Sequence, residues 1–139
     1  MSLLGVLPIA GSGMAAQAER LSAVASNLAN ANSAATSSGQ PYRAREVVFQ
    51  AVASGSGDVA PPGAGMAGVR IAAVVESAAP LRKMFDPGNA AADADGYVQM
   101  PNVDPVEEMV NMISAQQDYQ ANLEAFNVAK TLALRTLSI

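Results

Sequence analysis

Residues 104–139 read Asp-Pro-Val-Glu-Glu-Met-Val-Asn-Met-Ile-Ser-Ala-Gln-Gln-Asp-Tyr-Gln-Ala-Asn-Leu-Glu-Ala-Phe-Asn-Val-Ala-Lys-Thr-Leu-Ala-Leu-Arg-Thr-Leu-Ser-Ile, and they decide the fold. Asp104 can cap a helix, Pro105 suits the first helical position where its missing N–H costs nothing, and Glu107 completes an Asp-x-x-Glu capping box. Glu107 and Glu108 fall at the positive end of the helix dipole, Lys130 and Arg135 at the negative end. No Gly or Pro interrupts Val106 to Ile139. The spacing therefore predicts one helix of about 34 residues, roughly 50 Å long. Met109, Met112, Gln116, Tyr119, Leu123, Phe126, Lys130, Ala133 and Leu137 step by alternating threes and fours, with Ile113 adding to the apolar side. That alternation is the seam spacing of helices that wrap around one another. Gln116, Gln120, Asn127 and Lys130 lie in or beside the seam. They read either as a half-exposed helix edge or as polar groups that fix register at some cost in stability.

The other end of the chain carries a matching pattern. Leu7, Met14, Leu21 and Leu28 recur every seven residues, and Ala10, Gln17, Val24 and Ala31 fill in the stripe. A helix is expected from about Leu7 to Ala31, with Pro8 in its first turn. Between Met1 and Pro41 the only charged residues are Glu19 and Arg20, so the outer face is made of small neutral side chains that allow close approach. A flexible Ala/Ser-rich arm is the competing reading, and the period sustained over three heptads speaks against it.

The expected fold is mainly α with a small β-rich insertion. The N- and C-terminal helices pair as a coiled-coil-like hairpin, and the middle holds short strands and loops. The divisions fall at 1–32, 33–103 and 104–139. Within the middle, Val47-Val48-Phe49 marks one strand, Val69 to Val75 a second and Tyr97 to Met100 a third. Ala53 to Gly68 is rich in Gly, Ser and Pro and reads as a mobile loop. Asp86-Pro87-Gly88-Asn89 and Asp95-Gly96 are turn signals.

Composition removes several function classes. The net charge is -4 with no basic stripe, which disfavours nucleic acid and anionic membranes as partners. Cys, His and Trp are absent, which removes disulfides, thiolate metal sites, the commonest general base and the strongest stacking ring. Leu3 to Ala10 is apolar but has no basic residue before it and is broken by Gly5 and Pro8, so a cleaved signal peptide is not expected, and any export would use another route. Gly63-Ala-Gly65-Met-Ala-Gly68 matches G-x-G-x-x-G, yet prolines precede it and a strand follows, the reverse of a dinucleotide site. Asp93-Ala-Asp95-Gly96 puts Ala91 and Asn102 at the end positions of a calcium loop, so a turn is the better reading. The Glu107–Glu108 pair is explained by the helix start. No catalytic, cofactor or metal residue is expected.

Ser26-Asn27-Leu28-Ala29-Asn30-Ala31-Asn32-Ser33, which closes the first helix, resembles a signature of the bacterial flagellar axial proteins, the rod and hook group. Gly39-Gln40-Pro41-Tyr42-Arg43-Ala44, the run from Asp86 to Asp104, Glu108-Met109-Val110-Asn111 and Tyr119-Gln120-Ala121-Asn122 narrow the resemblance to the rod proteins. The resemblance implies a structural subunit with no enzymatic activity and no cofactor. It implies export through the flagellar type III apparatus and assembly into the proximal rod in the periplasm. Implied neighbours are further copies and the related rod proteins FlgB, FlgF and FlgG, with FliE at the rod base. The terminal helices would form an inner tube and the middle an outer layer. The residues expected to pair helices or join subunits are Leu7, Met14, Leu21, Leu28, Met109, Ile113, Tyr119, Leu123, Phe126 and Leu137. Within one subunit the seam is expected on Met14, Leu21, Leu28, Leu123, Phe126 and Leu137. Asn27, Asn30 and Asn32 are expected to satisfy backbone groups where the first helix ends. Another helical secretion tube and a soluble adaptor with a stable terminal bundle are the competing readings.

Overall fold

The computed structural model describes residues 3–34, 40–53 and 66–137. Residues 54–65, and with them most of the expected mobile loop and the first half of the Gly63–Gly68 motif, lie outside the described residues. In chain order the elements are α1 (Leu3–Asn30), β1 (Arg45–Ala53), β2 (Met66–Glu76), β3 (Arg82–Phe85), β4 (Tyr97–Met100) and α2 (Pro105–Leu137). Among the described residues helix takes 52% and strand 23%, a mainly α protein with a small β-rich insertion.

α2 starts where its cap requires. Asp104 Oδ1 accepts from the Val106 N–H at 2.9 Å and, less directly, from the Glu107 N–H at 3.4 Å. α1 differs from expectation at its start. It begins at Leu3, so Pro8 lies inside the helix and not in its first turn. The hydrogen bond that Pro8 cannot donate would have gone to the carbonyl of Leu4, in the helix's opening turns, where fraying limits the loss.

The principal packing is α1 against α2. The contacts run antiparallel: Gly13 meets Asn122, Gln17 reaches Asp118, and Arg20 reaches Asn111. β1 and β2 pair antiparallel from Arg45↔Glu76 to Ala53↔Met66, with register shifts after Val48 and Val52. This hairpin packs along α1. At its far end Ser12 Oγ accepts from the Val69 N–H at 3.1 Å while donating to the Ile9 carbonyl. Gly68 passes so close that a Cβ would stand 2.4 Å from Ser12 Oγ, which is why glycine occupies the position.

β3 was not expected from the sequence. It is four residues long and opens with Arg82-Lys83, and its pairing with β4 is set by the turns between them. Asp93 Oδ1 accepts from the Asp95 and Tyr97 N–H groups, and Gly96 takes a left-handed φ of +83°, so the Asp93–Gly96 stretch is a turn. β4 alternates as a half-buried strand should, with Val98 and Met100 buried and Tyr97 and Gln99 exposed. A small core of Ala31, Ala44 and Val103, flanked by Tyr42, sits where the end of α1, the start of β1 and the entry to α2 converge.

Candidate functional site

Two features could carry function in such a chain: the surfaces of the paired helices, and the junction that holds the hairpin on them. The helix seam is built from small residues. α1 buries Ala10, Gly13, Ala16 and Ala23, and α2 buries Ala115 and Ala129. A Cβ on Gly13 would stand 2.8 Å from the Asn122 side chain, so the backbones approach closely there. Leu7, Met14, Leu21 and Leu28 are half-buried and flank this line, as do Met112, Tyr119 and Phe126 on α2.

The contact line on α2 is turned relative to the expected one. Ala115, Asn122 and Ala129 stand where Gln116, Leu123 and Lys130 were placed. Met109, Ile113 and Leu123 are exposed, Met109 by 54% and Ile113 by 55%. Leu137 is 84% exposed, and its expected place in the seam within one chain is corrected. α2 has 33 residues against 28 in α1, so its last turn overhangs. Gln116, Gln120, Asn127 and Lys130 are all exposed, which makes them helix edge within the chain. Register is held by other polar groups. Arg20 pairs with Asp118 at 3.7 Å and donates to Asn111 at 3.5 Å, and Gln17 donates to Asp118 at 3.5 Å. Such long, part-exposed contacts contribute little energy and mainly favour one axial offset.

The junction is dense in side-chain-to-backbone bonds. Asn27 is 1% exposed. Its Oδ1 accepts from the Arg45 N–H and from the Tyr42 hydroxyl, both at 2.8 Å, and its Nδ2 donates to the Arg45 carbonyl at 3.0 Å. Asn102 works similarly, accepting from the Ala44 N–H at 2.8 Å and donating to the Ser77 and Ala79 carbonyls. Arg82 donates to the carbonyls of Ala31 and Pro101, each at 3.1 Å. The asparagines of the Ser26–Ser33 motif therefore separate in role. Asn30 donates to the Ser26 carbonyl inside the helix. Asn27 reaches across to another element, and Asn32 is exposed. Burial pushes the Tyr42 hydroxyl above its usual pKa, against the pull of Arg45. Burial also pushes the Glu108 carboxyl up, with Glu107 and Glu46 adding to the rise and Asn27 and Arg20 opposing it.

α2 turns a large apolar face away from α1. Val106, Met109, Val110, Ile113 and Val128 are all more than half exposed. Among the described residues no group of carboxylates is placed to hold a metal ion, and no helix is long and apolar enough to cross a membrane.

Residues 7–34 match the family model described as flagella basal body rod protein, and residues 94–139 match that of the flagellar basal body rod FlgEFG protein C-terminal region. The whole chain is 52% identical to the flagellar basal-body rod protein FlgC of Salmonella typhimurium strain LT2, covering 98% of that protein. The chain belongs to the FlgC family of flagellar basal-body rod proteins. FlgC of Buchnera aphidicola subsp. Acyrthosiphon pisum is 40% identical and that of Borreliella burgdorferi 34% identical, again over 100% of this chain and 98% of each relative. Membership makes the chain a structural rod protein of the flagellum, the organelle of motility, and implies association with other rod proteins. The two family-model matches fall on α1 with its Asn27 junction and on β4 with α2, the parts that build the helix pair.

Proposed function

We propose that this FlgC-family chain is a subunit of the proximal rod that assembles helically in the periplasm. Its neighbours there are further copies and the related rod proteins FlgB, FlgF and FlgG, with FliE at the base. The assembly carries motor torque to the hook and encloses part of the export channel. The chain reaches it unfolded through the flagellar type III apparatus. Residues 1–32 and 104–139 supply the inner tube, and 33–103 the outer layer.

The observation that carries this reading is the uncovered apolar face of α2, around Met109, Val110 and Ile113. A monomer gains nothing by exposing it, whereas burial returns about 25 cal/mol per Å2. Packed among neighbours, each such side chain contributes roughly 1.5–3 kcal/mol when fully covered. The nearly charge-free α1 suits close packing on several sides. Because so much apolar burial waits for neighbours, the terminal helices gain much of their order on assembly.

The test is a strain lacking this chain. It should make neither hook nor filament, and the parent chain should restore both. Leu28→Asp, which puts a carboxylate on the half-buried side of α1 beside the seam, should be expressed but fail to enter basal bodies. Hooks in the deleted strain would end the rod reading. Strong helicity and slow amide exchange at both ends of the purified monomer would end the coupling of order to assembly.

A further inference from the structure

The Asn27 junction has a geometry that a helix end does not require. A carboxamide presents one C=O and one NH2, and here both engage the two backbone groups of a single residue, Arg45. Arg45 opens β1 and faces Glu76 of β2 on its other side. The Asn27 side chain thus occupies the place of a third strand on the free edge of the hairpin. The Tyr42 hydroxyl adds a bond to the same Oδ1 from the segment leading into β1. Glu108 of α2 lies near enough for the Asn27 amide to act on its carboxyl, and its Oε2 is buried without a hydrogen-bond partner among the described residues. Three parts of the chain therefore meet on one buried amide.

We propose that Asn27 is a positioning residue that fixes the direction in which the β1–β2 hairpin leaves the helices, and that it does so when α1 and α2 lie side by side. A lone bond would leave the hairpin free to rotate about it. Two antiparallel bonds to one residue remove that freedom near the base of the hairpin, while the Ser12–Val69 bond holds its far end. Because Glu108 stands against the same amide, pairing of the helices and placement of the outer hairpin are set by one group. The motor's twist would then reach the outer layer through this point. That consequence rests on the reading of the chain as a rod subunit.

The chemistry allows a compensation test. Asn27→Asp (N27D) keeps the acceptors for Arg45 and Tyr42, loses the donor to the Arg45 carbonyl, and sets a second carboxylate against Glu108. Adding Glu108→Gln (E108Q) removes the repulsion and supplies an amide donor. The chain has no cysteine, so labels at Ser22→Cys on α1 and Gln50→Cys on β1, both exposed, report the helix–hairpin distance without interference. The parent should give one narrow distance distribution in purified rods. N27D should broaden it and lower the fraction of cells bearing hooks by about tenfold, and N27D/E108Q, which relieves the repulsion without restoring the donor to the Arg45 carbonyl, should stay broader than the parent while recovering part of the hooks. If Asn27 served only for packing, N27D would be mild and E108Q would not help it. An unchanged distribution in N27D, or a double variant as narrow as the parent, overturns the proposal. Where N27D does not enter rods at all, Asn27→Ser, which removes the paired bonds to Arg45 without adding a charge, decides: a broadened distribution supports the proposal and an unchanged one overturns it. Failure of the unlabelled parent chain to restore hooks would count against the rod reading and not against this one, since the distances can still be read on the soluble chain.

Discussion

Glu108 sits in the first turns of α2, half-buried against Asn27, and its carboxyl is held above its usual value by that burial first and by Glu107 and Glu46 second. Its folded pKa lies above the unfolded value near 4.5. The folded state therefore binds its proton more readily than the unfolded chain does. Stability from this group rises as pH falls through the folded pKa, and the gain is complete below the unfolded one. Near neutral pH the ionised carboxylate works against the α1–α2 contact. Glu108→Gln, with the same shape and an amide in place of the charge, should slow amide exchange over residues 105–112 in isolated rods at neutral pH. It should make no difference below about pH 4.5. Slower exchange at both pH values, by equal amounts, would assign the effect to packing and not to charge.

At the scale of the element, the helix seam depends on what is small. Ala129 is buried at the contact of the two helices, and Gly13 faces Asn122 with no room for a Cβ. Ala129→Leu keeps helix propensity and apolar character but overfills the seam, at a cost of about 1–3 kcal/mol. Isolated rods carrying it should dissociate at a lower temperature than the parent, by several degrees. An unchanged midpoint would mean that the helices have room to part. This small-residue contact also explains what the sequence disclosed and what it hid. The helices, the Asp104 cap and the β4 strand were legible, because capping chemistry and periodicity are local. The facing side of α2 is not marked by its large apolar residues, because a close helix contact selects small side chains. Leu123 looks more like a core residue than Ala129, yet Ala129 meets the other helix. β3 stayed hidden because Arg82-Lys83-Met84-Phe85 is short, half cationic and defined only by its partner. Asn27 was legible as a residue of the motif. Its partner Arg45 was not, since the two are joined across a loop by geometry that no local spacing encodes.

For the whole molecule, the deciding question is which faces serve the chain itself and which serve its neighbours. Phe126 is half-buried on the side of α2 that carries the Ala115 and Ala129 contact, whereas Ile113 points into solvent. A carboxylate at Phe126 would damage the chain's own helix pair and prove little about assembly. Ile113→Asp leaves the internal contacts of the chain in place, because the side chain it replaces is more than half exposed. In a packed tube the same carboxylate would be taken out of water among apolar neighbours, at a cost of several kcal/mol. The purified Ile113→Asp chain should therefore match the parent in circular dichroism and sedimentation, be exported normally, and yet leave cells without hooks. Addition of a neutral polar side chain, Ile113→Asn, should give an intermediate loss, because an amide is far cheaper to bury than a charge. If Ile113→Asp cells swim like the parent, that face of α2 looks onto water in the finished rod, and the subunits must meet through the flanks of α1 instead.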